Sequence, residues 1–298
     1  MFSSTHSGRV TQHRCAARPE FVRCRAEPAG PQHPGRPDDR PSATLTDTPH
    51  HPGVPMSSSD TAKAVAGPFG DLGGRFMLSG RTYAAGNELG FSGMDFYFAG
   101  RGGVLGPVDA SVVAYEFGFF PPERVDELWN AGCAVMSPSD AATAFLGCGY
   151  TWGRARLPED LDHVRLAELV RKVTDAAVGD PVDGPALSTA WNRVGWPDDE
   201  RDAAMHAIHL MRELRGGAHV AAVHAAALDP HTAVMVNNGA GVAEFFGWPE
   251  PHPDPEPARA TWQQVEDATN GSVATLLEVL DDDEQAELIT LARAAVPS

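Results

Sequence analysis

The sequence predicts an all-α protein, a multi-helix single domain that follows a disordered N-terminal tail. After about residue 70, apolar residues recur at helical spacing in one segment after another. Most of these segments begin with Ser, Pro or acidic residues and end near Gly or Arg, which are typical helix start and stop signals. Convincing strand alternation is absent. The signals together indicate roughly nine to eleven helices.

The first 55 residues differ in composition from the rest of the chain. They hold nine of the 25 prolines and seven arginines, and they lack an apolar period. Such a segment cannot bury enough apolar surface to offset its ordering entropy. We therefore expect residues 1–55 to be a disordered Pro/Arg-rich tail, and we interpret Met56 as a possible natural start. Residues 56–69 are expected to be a flexible lead-in.

The main helical domain is expected over residues 70–247. Its clearest helical segments are, in order, 121–136, 137–155, 158–179, 197–217, 217–230 and 230–241. Prolines open the first, Ser137 or Ser139 can cap the second, and Gly179 can end the third. Residues 248–260 are rich in proline and acid, which is typical of a linker. We expect residues 261–298 to form a helical pair that packs on the main domain.

The charge of the chain restricts its partners. The formal net charge is −17, and residues 56–298 hold 16 basic against 35 acidic side chains. Non-specific nucleic-acid binding depends on neutralising phosphates, so this acidity argues against a nucleic-acid partner. No uninterrupted run of about 20 apolar residues predicts a membrane span. The N-terminus lacks the apolar core of a signal peptide, so we expect a cytoplasmic protein.

The stretch "MRELRGGAHVAAVHAAAL" predicts a joint between two helices. Adjacent glycines are poor helix formers, so Gly216 and Gly217 favour a break. His219 would then lie in the first turn of the next helix, where the helix dipole favours a neutral imidazole. One interpretation is an ordinary joint, with Arg215 as a C-terminal cap. The other is a ligand site in which Arg212 and Arg215 meet an anionic group.

A second candidate lies in the aromatic, glycine-rich segment 96–120. Its aromatic side chains indicate either a hydrophobic core or an apolar pocket with a few polar groups. For the pocket, the candidate ligand-binding residues are Tyr97, Arg101, Tyr115 and Glu116. We expect this segment to share a cavity with Arg215 and His219.

A metal site is a weaker hypothesis. His206 and His209 lie three residues apart, and Glu213 follows His209 by four, so both pairs can share a helix face. Imidazole and carboxylate groups suit zinc or iron. However, the HExxH pattern is missing, and ordinary surface or boundary histidines explain the same spacing.

Three segments together resemble a known family. They are "FYFAGRGGVLGPVDASVVAYEFGFFPPERV", "LMRELRGGAHVAAVHAAAL" and the closing "QQVEDATN" with "LLEVLDDDEQAELITLARAAV". As an ordered set they resemble an actinobacterial family of SalK-like proteins labelled helix-turn-helix, over about residues 70–296. The positions that match one family block are Arg212, Glu213, Arg215, Gly216, His219 and Val220. The family's winged-helix stretch is missing here, where Phe246 to Ala260 is largely proline and acid.

Three functions are compatible with these observations. The first is a small-molecule-binding helical protein, linked to secondary metabolism through the family resemblance. The second is an enzyme that uses His219 as an acid–base group in the same pocket. The third is a helix-turn-helix transcriptional regulator, which the family label implies and which the acidic body and missing wing disfavour.

Overall fold

The structure is a computed structural model that describes residues 57–179 and 186–297. Within these residues the regular secondary structure is entirely helical, which confirms the all-α prediction. The tail expected over residues 1–55 lies outside the described residues. None of the described helices combines the length and the apolar character needed to cross a bilayer.

The helices are numbered in chain order. They are α1 (Ser58–Met77), α2 (Gly80–Glu88), α3 (Asp95–Gly102), α4 (Ala110–Phe117), α5 (Pro122–Val135), α6 (Pro138–Arg156), α7 (His163–Gly179), α8 (Ala186–Asn192), α9 (Glu200–Ala225), α10 (Pro230–Asn238), α11 (Ala240–Phe246), α12 (Arg259–Leu277) and α13 (Asp282–Ala294). Short 3₁₀ turns occur at Gly103–Leu105 and Glu256–Ala258. The described residues thus form more helices than the sequence signals indicated. Part of the reason is that the glycine-rich aromatic segment, which has no clear period, forms α3 and α4.

The first helix begins earlier than the sequence predicted. Ser57 caps α1 by accepting a hydrogen bond from the Asp60 amide at 3.2 Å, and Asp60 accepts one from the Ser57 amide at 3.3 Å. Val65 and Phe69 are buried on the face that packs into the core. The expectation of a flexible lead-in over residues 56–69 is therefore wrong for its helical part. The reciprocal cap supplies partners for the free amides of the first turn.

The predicted break at Gly216 and Gly217 is also wrong. The helix α9 continues through both glycines and ends only at Ala225. His219 consequently lies deep within α9 and not in a first turn. Two glycines cost about 1 kcal/mol each relative to alanine. Contacts of α9 with surrounding helices outweigh that cost, because Met211, Val220 and Val223 are buried against them.

The long helix α9 is the centre of the fold. It contacts α1, α6, α7, α8 and α12, while α13 packs on α1 and α7. At the crossing of α1 and α9, a Cβ atom on Gly73 would lie only 2.8 Å from the Arg212 Cβ. Glycine is needed there so that the two backbones can approach closely. This crossing brings the middle of α9, at Arg212, beside α1 and next to the cavity described below.

Candidate functional site

A cavity of about 350 Å³ lies between α1, α3, α9 and α12. We call it the central cavity. Much of its apolar wall is aromatic and includes Phe69, Phe117, Phe119, Phe120 and Phe246. Its polar groups are Tyr97, Arg101, Arg212, Arg215, His219, Asn237 and Glu266. The structure therefore brings the aromatic segment and the polar residues of α9 to one space, as the sequence analysis expected.

A buried network of charged side chains lies beside the central cavity. Arg101 on α3 donates from Nε to Glu213 Oε1 at 3.1 Å and from Nη2 to Glu213 Oε2 at 3.0 Å. Its Nη1 donates to the Tyr97 hydroxyl at 3.1 Å. Arg212 pairs with the same carboxylate. Burial alone would raise the pKa of Glu213, but the charges of Arg101 and Arg212 hold that pKa far below its usual range.

Arg215 lines the cavity and has one donor group without an acceptor. Its Nη2 donates to Glu266 Oε2 on α12 at 2.8 Å. Its Nη1 is buried and has no hydrogen-bond partner. The cavity and its network contain three guanidinium groups against the carboxylates of Glu213 and Glu266. One positive charge is therefore in excess, close to a buried donor that lacks an acceptor.

Burial favours the neutral form of His219, and a hydrogen bond fixes the orientation of its ring. Thr269 donates its hydroxyl hydrogen to the Val265 carbonyl at 2.7 Å, so the same oxygen accepts from His219 Nδ1 at 3.0 Å. This assigns the proton to Nδ1 and leaves a lone pair on Nε2. Burial lowers the pKa of His219, and Arg215 lowers it further against the opposing charge of Glu266.

Aromatic rings hold the His219 imidazole from two sides. The ring of Phe119 stacks on it at 5.7 Å between centroids, and Trp262 meets it edge-on at 5.0 Å. The result is a neutral acceptor in an aromatic environment at the border of the cavity. Such a group can accept a hydrogen bond or a proton from a bound molecule.

Two expected ligand-binding residues lie outside the central cavity. Tyr115 is 60% exposed and stacks on His224 at 4.3 Å between ring centroids. Glu116 is buried, but its oxygens accept from the backbone amides of Ala186 and Leu187 at 3.1 and 2.9 Å. Its carboxylate therefore satisfies free amides at the start of α8. Both residues belong to α4, whose helical turn carries them away from the cavity, whereas the neighbouring Phe117 lines it.

The weak metal candidates occupy separate environments. His206 Nδ1 lies 2.8 Å from the Tyr150 hydroxyl, and burial lowers the pKa of His206 to about 4. His209 packs edge-on against Trp191 at 4.5 Å, and burial lowers its pKa to about 3. Glu213 is already engaged by arginines. These three residues are spaced for one helix face, but within the described residues their ligand atoms are not among those that converge within 4.8 Å of one another.

Comparison with known families adds an independent finding. A family model described as a helix-turn-helix family matches residues 64–254. The chain belongs to this helix-turn-helix family. No curated protein and no solved structure matches the chain. The matched range contains most of α1 and all of α2 to α11, and thus most of the walls of the central cavity.

Some of the cavity residues in this member of the helix-turn-helix family were missed by the sequence analysis. Glu266 on α12 pairs with Arg215, and Asn237 on α10 and Phe246 on α11 complete the wall. Glu266 lies in the closing "QQVEDATN" segment, whose signal in the sequence is its family resemblance and not its charge. A single acidic residue on an acidic chain carries no signal of its own. Its role depends on the packing of α12 against α9.

A second, larger cavity lies between α6, the end of α8 and the start of α9. It has a volume of about 720 Å³, and its wall includes Tyr150, Trp191 and Trp196 together with Asp198, Asp199 and Asp202. Two of the acids there have structural roles: Asp199 caps α9, and Asp202 pairs with Arg154 through Oδ2, although its buried Oδ1 has no hydrogen-bond partner. The central cavity is smaller, but it combines a buried charge network with an unpaired donor. We therefore treat the central cavity as the candidate site.

Proposed function

We propose that this protein binds a small molecule in the central cavity, and that the ligand carries an anionic group on an apolar, aromatic-compatible body. The observation that carries the proposal is the buried Nη1 of Arg215, a charged donor without an acceptor on a side chain that lines an aromatic cavity. A buried polar group without a partner is costly. A carboxylate, sulfonate or phosphate group would supply the missing acceptor.

The dimensions and lining of the cavity support the same proposal. A volume of about 350 Å³ lies at the lower end of the range for small-molecule sites. Aromatic side chains supply much of its apolar wall, and the excess guanidinium charge lies along α9. His219 Nε2 adds an acceptor for a hydroxyl or amide of the ligand. The resemblance to SalK-like actinobacterial proteins supports a cytoplasmic role connected with secondary metabolism.

A helix-turn-helix regulator is the second candidate function, and family membership favours it. DNA-binding helices of this class use cationic and amide side chains at the phosphates and base edges. Between Arg215 and Arg259 the sequence contains no lysine or arginine. The pair α10 and α11, joined by Gly239, therefore has no cation to place at a phosphate. For this reason we rank ligand binding above DNA binding.

The experiment that tests ligand binding compares two fluorescent probes. One is 8-anilinonaphthalene-1-sulfonate, which is anionic, and the other is N-phenyl-1-naphthylamine, which has a similar aromatic body without charge. We expect the full chain to bind both probes and to prefer the anionic one. The variant Arg215→Met should weaken the anionic probe about 10- to 100-fold, because a charge-assisted hydrogen bond is lost, and leave the neutral probe nearly unchanged.

The control variant is Arg171→Met. Arg171 lies over the ring of Trp196, outside the central cavity, so its removal tests the general effect of losing one arginine. Equal weakening of the anionic probe in both variants would contradict the proposal. So would equal affinity of the wild type for the two probes. Native mass spectrometry of the purified protein would then identify any co-purified ligand.

DNA binding requires a separate measurement. Fluorescent duplex fragments are titrated with the protein at about 0.15 M salt. At this ionic strength the Debye length is only about 8 Å, so non-specific charge attraction is largely screened and the remaining binding is specific. We expect no sequence-selective binding below micromolar concentration. Selective sub-micromolar binding would make the regulator the leading function.

A further inference from the structure

A second cluster of polar side chains lies apart from the α9 charge network, on the segment from α10 to the loop after α11. Glu244 on α11 and Glu250 and His252 in the following loop place one ligand atom each within 4.8 Å of one another. Within the described residues this is the one group of three such side chains that converges in this way. Both carboxylates are exposed, so they can adjust their rotamers without disturbing the core.

The Nε2 atom of His252 lies beside the two carboxylates and has no hydrogen-bond partner. The side chain of His252 is only 10% exposed, and its Nε2 is buried with no hydrogen-bond partner. Glu244 Oε1 lies 3.8 Å from that nitrogen, which is too long for a hydrogen bond. A metal ion between this nitrogen and this oxygen would form one bond of about 2.0–2.2 Å to each, and two such bonds can span the distance between them.

The second nitrogen of His252 is already oriented. His252 Nδ1 lies 2.9 Å from His231 Nε2 on α10. If Nδ1 carries the proton and donates it to His231, then Nε2 presents a lone pair to the two carboxylates. Metal-binding histidines are commonly oriented through their second nitrogen in this manner. His231 is itself held by stacking on Trp248 at 4.7 Å between ring centroids.

We propose that Glu244, Glu250 and His252 form a binding site for a divalent transition-metal ion of the zinc class, with His231 as a positioning residue. One imidazole nitrogen with two carboxylate oxygens suits such an ion better than calcium or magnesium, which prefer oxygen ligands alone. Three protein ligands leave a further position for water or another ligand. A bound ion would tie α11 to the loop at 247–255, and through His231 to α10. The proposal does not depend on a ligand in the central cavity.

The test is the stoichiometry of zinc binding to the full chain, measured by isothermal titration calorimetry with Zn²⁺ alone. Surface and tail histidines also bind zinc, so the informative quantity is the difference between variants. We expect wild type to bind one equivalent more than the double variant Glu244→Gln/Glu250→Gln and than His252→Ala. The control Glu278→Gln removes an exposed glutamate outside the cluster and should retain that equivalent.

His231→Phe tests the positioning role. It keeps an aromatic ring against Trp248 but removes the hydrogen bond to His252, so the zinc affinity of this site should fall about 10- to 100-fold. Co²⁺ loaded in place of Zn²⁺ gives a visible absorption spectrum that reports the ligand set, and His231→Phe should change its intensity or shape. The same zinc stoichiometry in all variants, or Ca²⁺ binding more tightly than Zn²⁺, would overturn the proposal. If His252→Ala does not fold, the exposed double glutamate variant decides.

Discussion

The guanidinium of Arg101 on α3 forms two parallel hydrogen bonds with the carboxylate of Glu213 on α9, and both side chains are almost fully removed from solvent. The ring of Phe117 lies 4.4 Å from the Arg101 guanidinium carbon. A buried pair of this kind stabilises the fold only while both partners are present, because each charge alone would be buried without compensation. The pair therefore joins the aromatic segment to the central helix.

We expect Glu213→Leu to lower the free energy of unfolding by about 3–5 kcal/mol, because Arg101 would remain buried without its counter-ion. The double variant Arg101→Met/Glu213→Leu should recover much of this loss. Urea denaturation of the wild type, both single variants and the double variant gives the coupling energy. Additive losses in the double variant would contradict a tightly coupled pair.

Gly216 is a position where a small side chain should increase the stability of α9. It lies inside α9 and lines the central cavity, and a Cβ atom there would meet no other atom within 4 Å. Gly216→Ala should therefore raise the free energy of unfolding by up to about 1 kcal/mol, through helix propensity. Thermal or urea denaturation measures this effect. A loss of stability would show that the helix needs glycine at this position.

A larger side chain at the same position should block the cavity. Gly216→Leu places a branched aliphatic group in the central cavity while keeping a good helix former in α9. We expect it to abolish binding of both fluorescent probes, with circular dichroism unchanged. Gly216→Ala is the matched control and should retain measurable binding. Unchanged probe binding in the leucine variant would place the probes elsewhere.

Buried histidines predict a loss of stability in weak acid. Burial lowers the pKa of His206 to about 4 and that of His209 to about 3, below the usual histidine value of about 6.5. Between the lowered pKa values of the folded protein and about pH 6.5, the unfolded chain therefore binds more protons than the folded protein. The stability that these neutral histidines contribute is complete above about pH 6.5 and decreases as pH falls. Burial also lowers the pKa of His163, His219 and His231, in the same direction.

The expected slope is roughly 1.4 kcal/mol per pH unit for each fully titrating histidine. Urea denaturation at about pH 7.5, 6 and 5 measures it in a window largely above the usual carboxylate pKa values. His209→Phe should flatten the dependence of stability on pH, because it removes one titrating imidazole. The variant should still fold, since neither ring nitrogen of His209 has a hydrogen-bond partner and the aromatic packing is kept. A slope identical to that of wild type would refute the assignment to His209.

A chain that starts at Met56 is expected to be as stable as the full chain. Its first helix retains the complete cap between Ser57 and Asp60, and the buried residues of α1 lie after that cap. Thermal unfolding of both forms provides the comparison. A decrease of several degrees in the shorter chain would show that residues 1–55 contribute to the fold.

The composition and periodicity of the sequence were sufficient to predict the all-α class and several helix boundaries. The starts of α5 and α6 show why: Pro122 occupies the first turn of α5, and Ser137 accepts a hydrogen bond from the Asp140 amide at the start of α6. Local signals of this type act within one helical turn, so a single sequence contains them. The same locality explains why "RGG" predicts a break that the structure does not contain.

Only the tertiary structure decided that α9 continues through Gly216 and Gly217, because the stabilising contacts come from helices distant in the sequence. It also decided which polar residues meet. Arg215 finds Glu266 across 51 positions of sequence, and Arg101 finds Glu213 across 112. Glu116, one position before the cavity-lining Phe117, caps α8 instead. Helix propensity acts over a few residues, whereas burial and charge pairing depend on how separate helices pack.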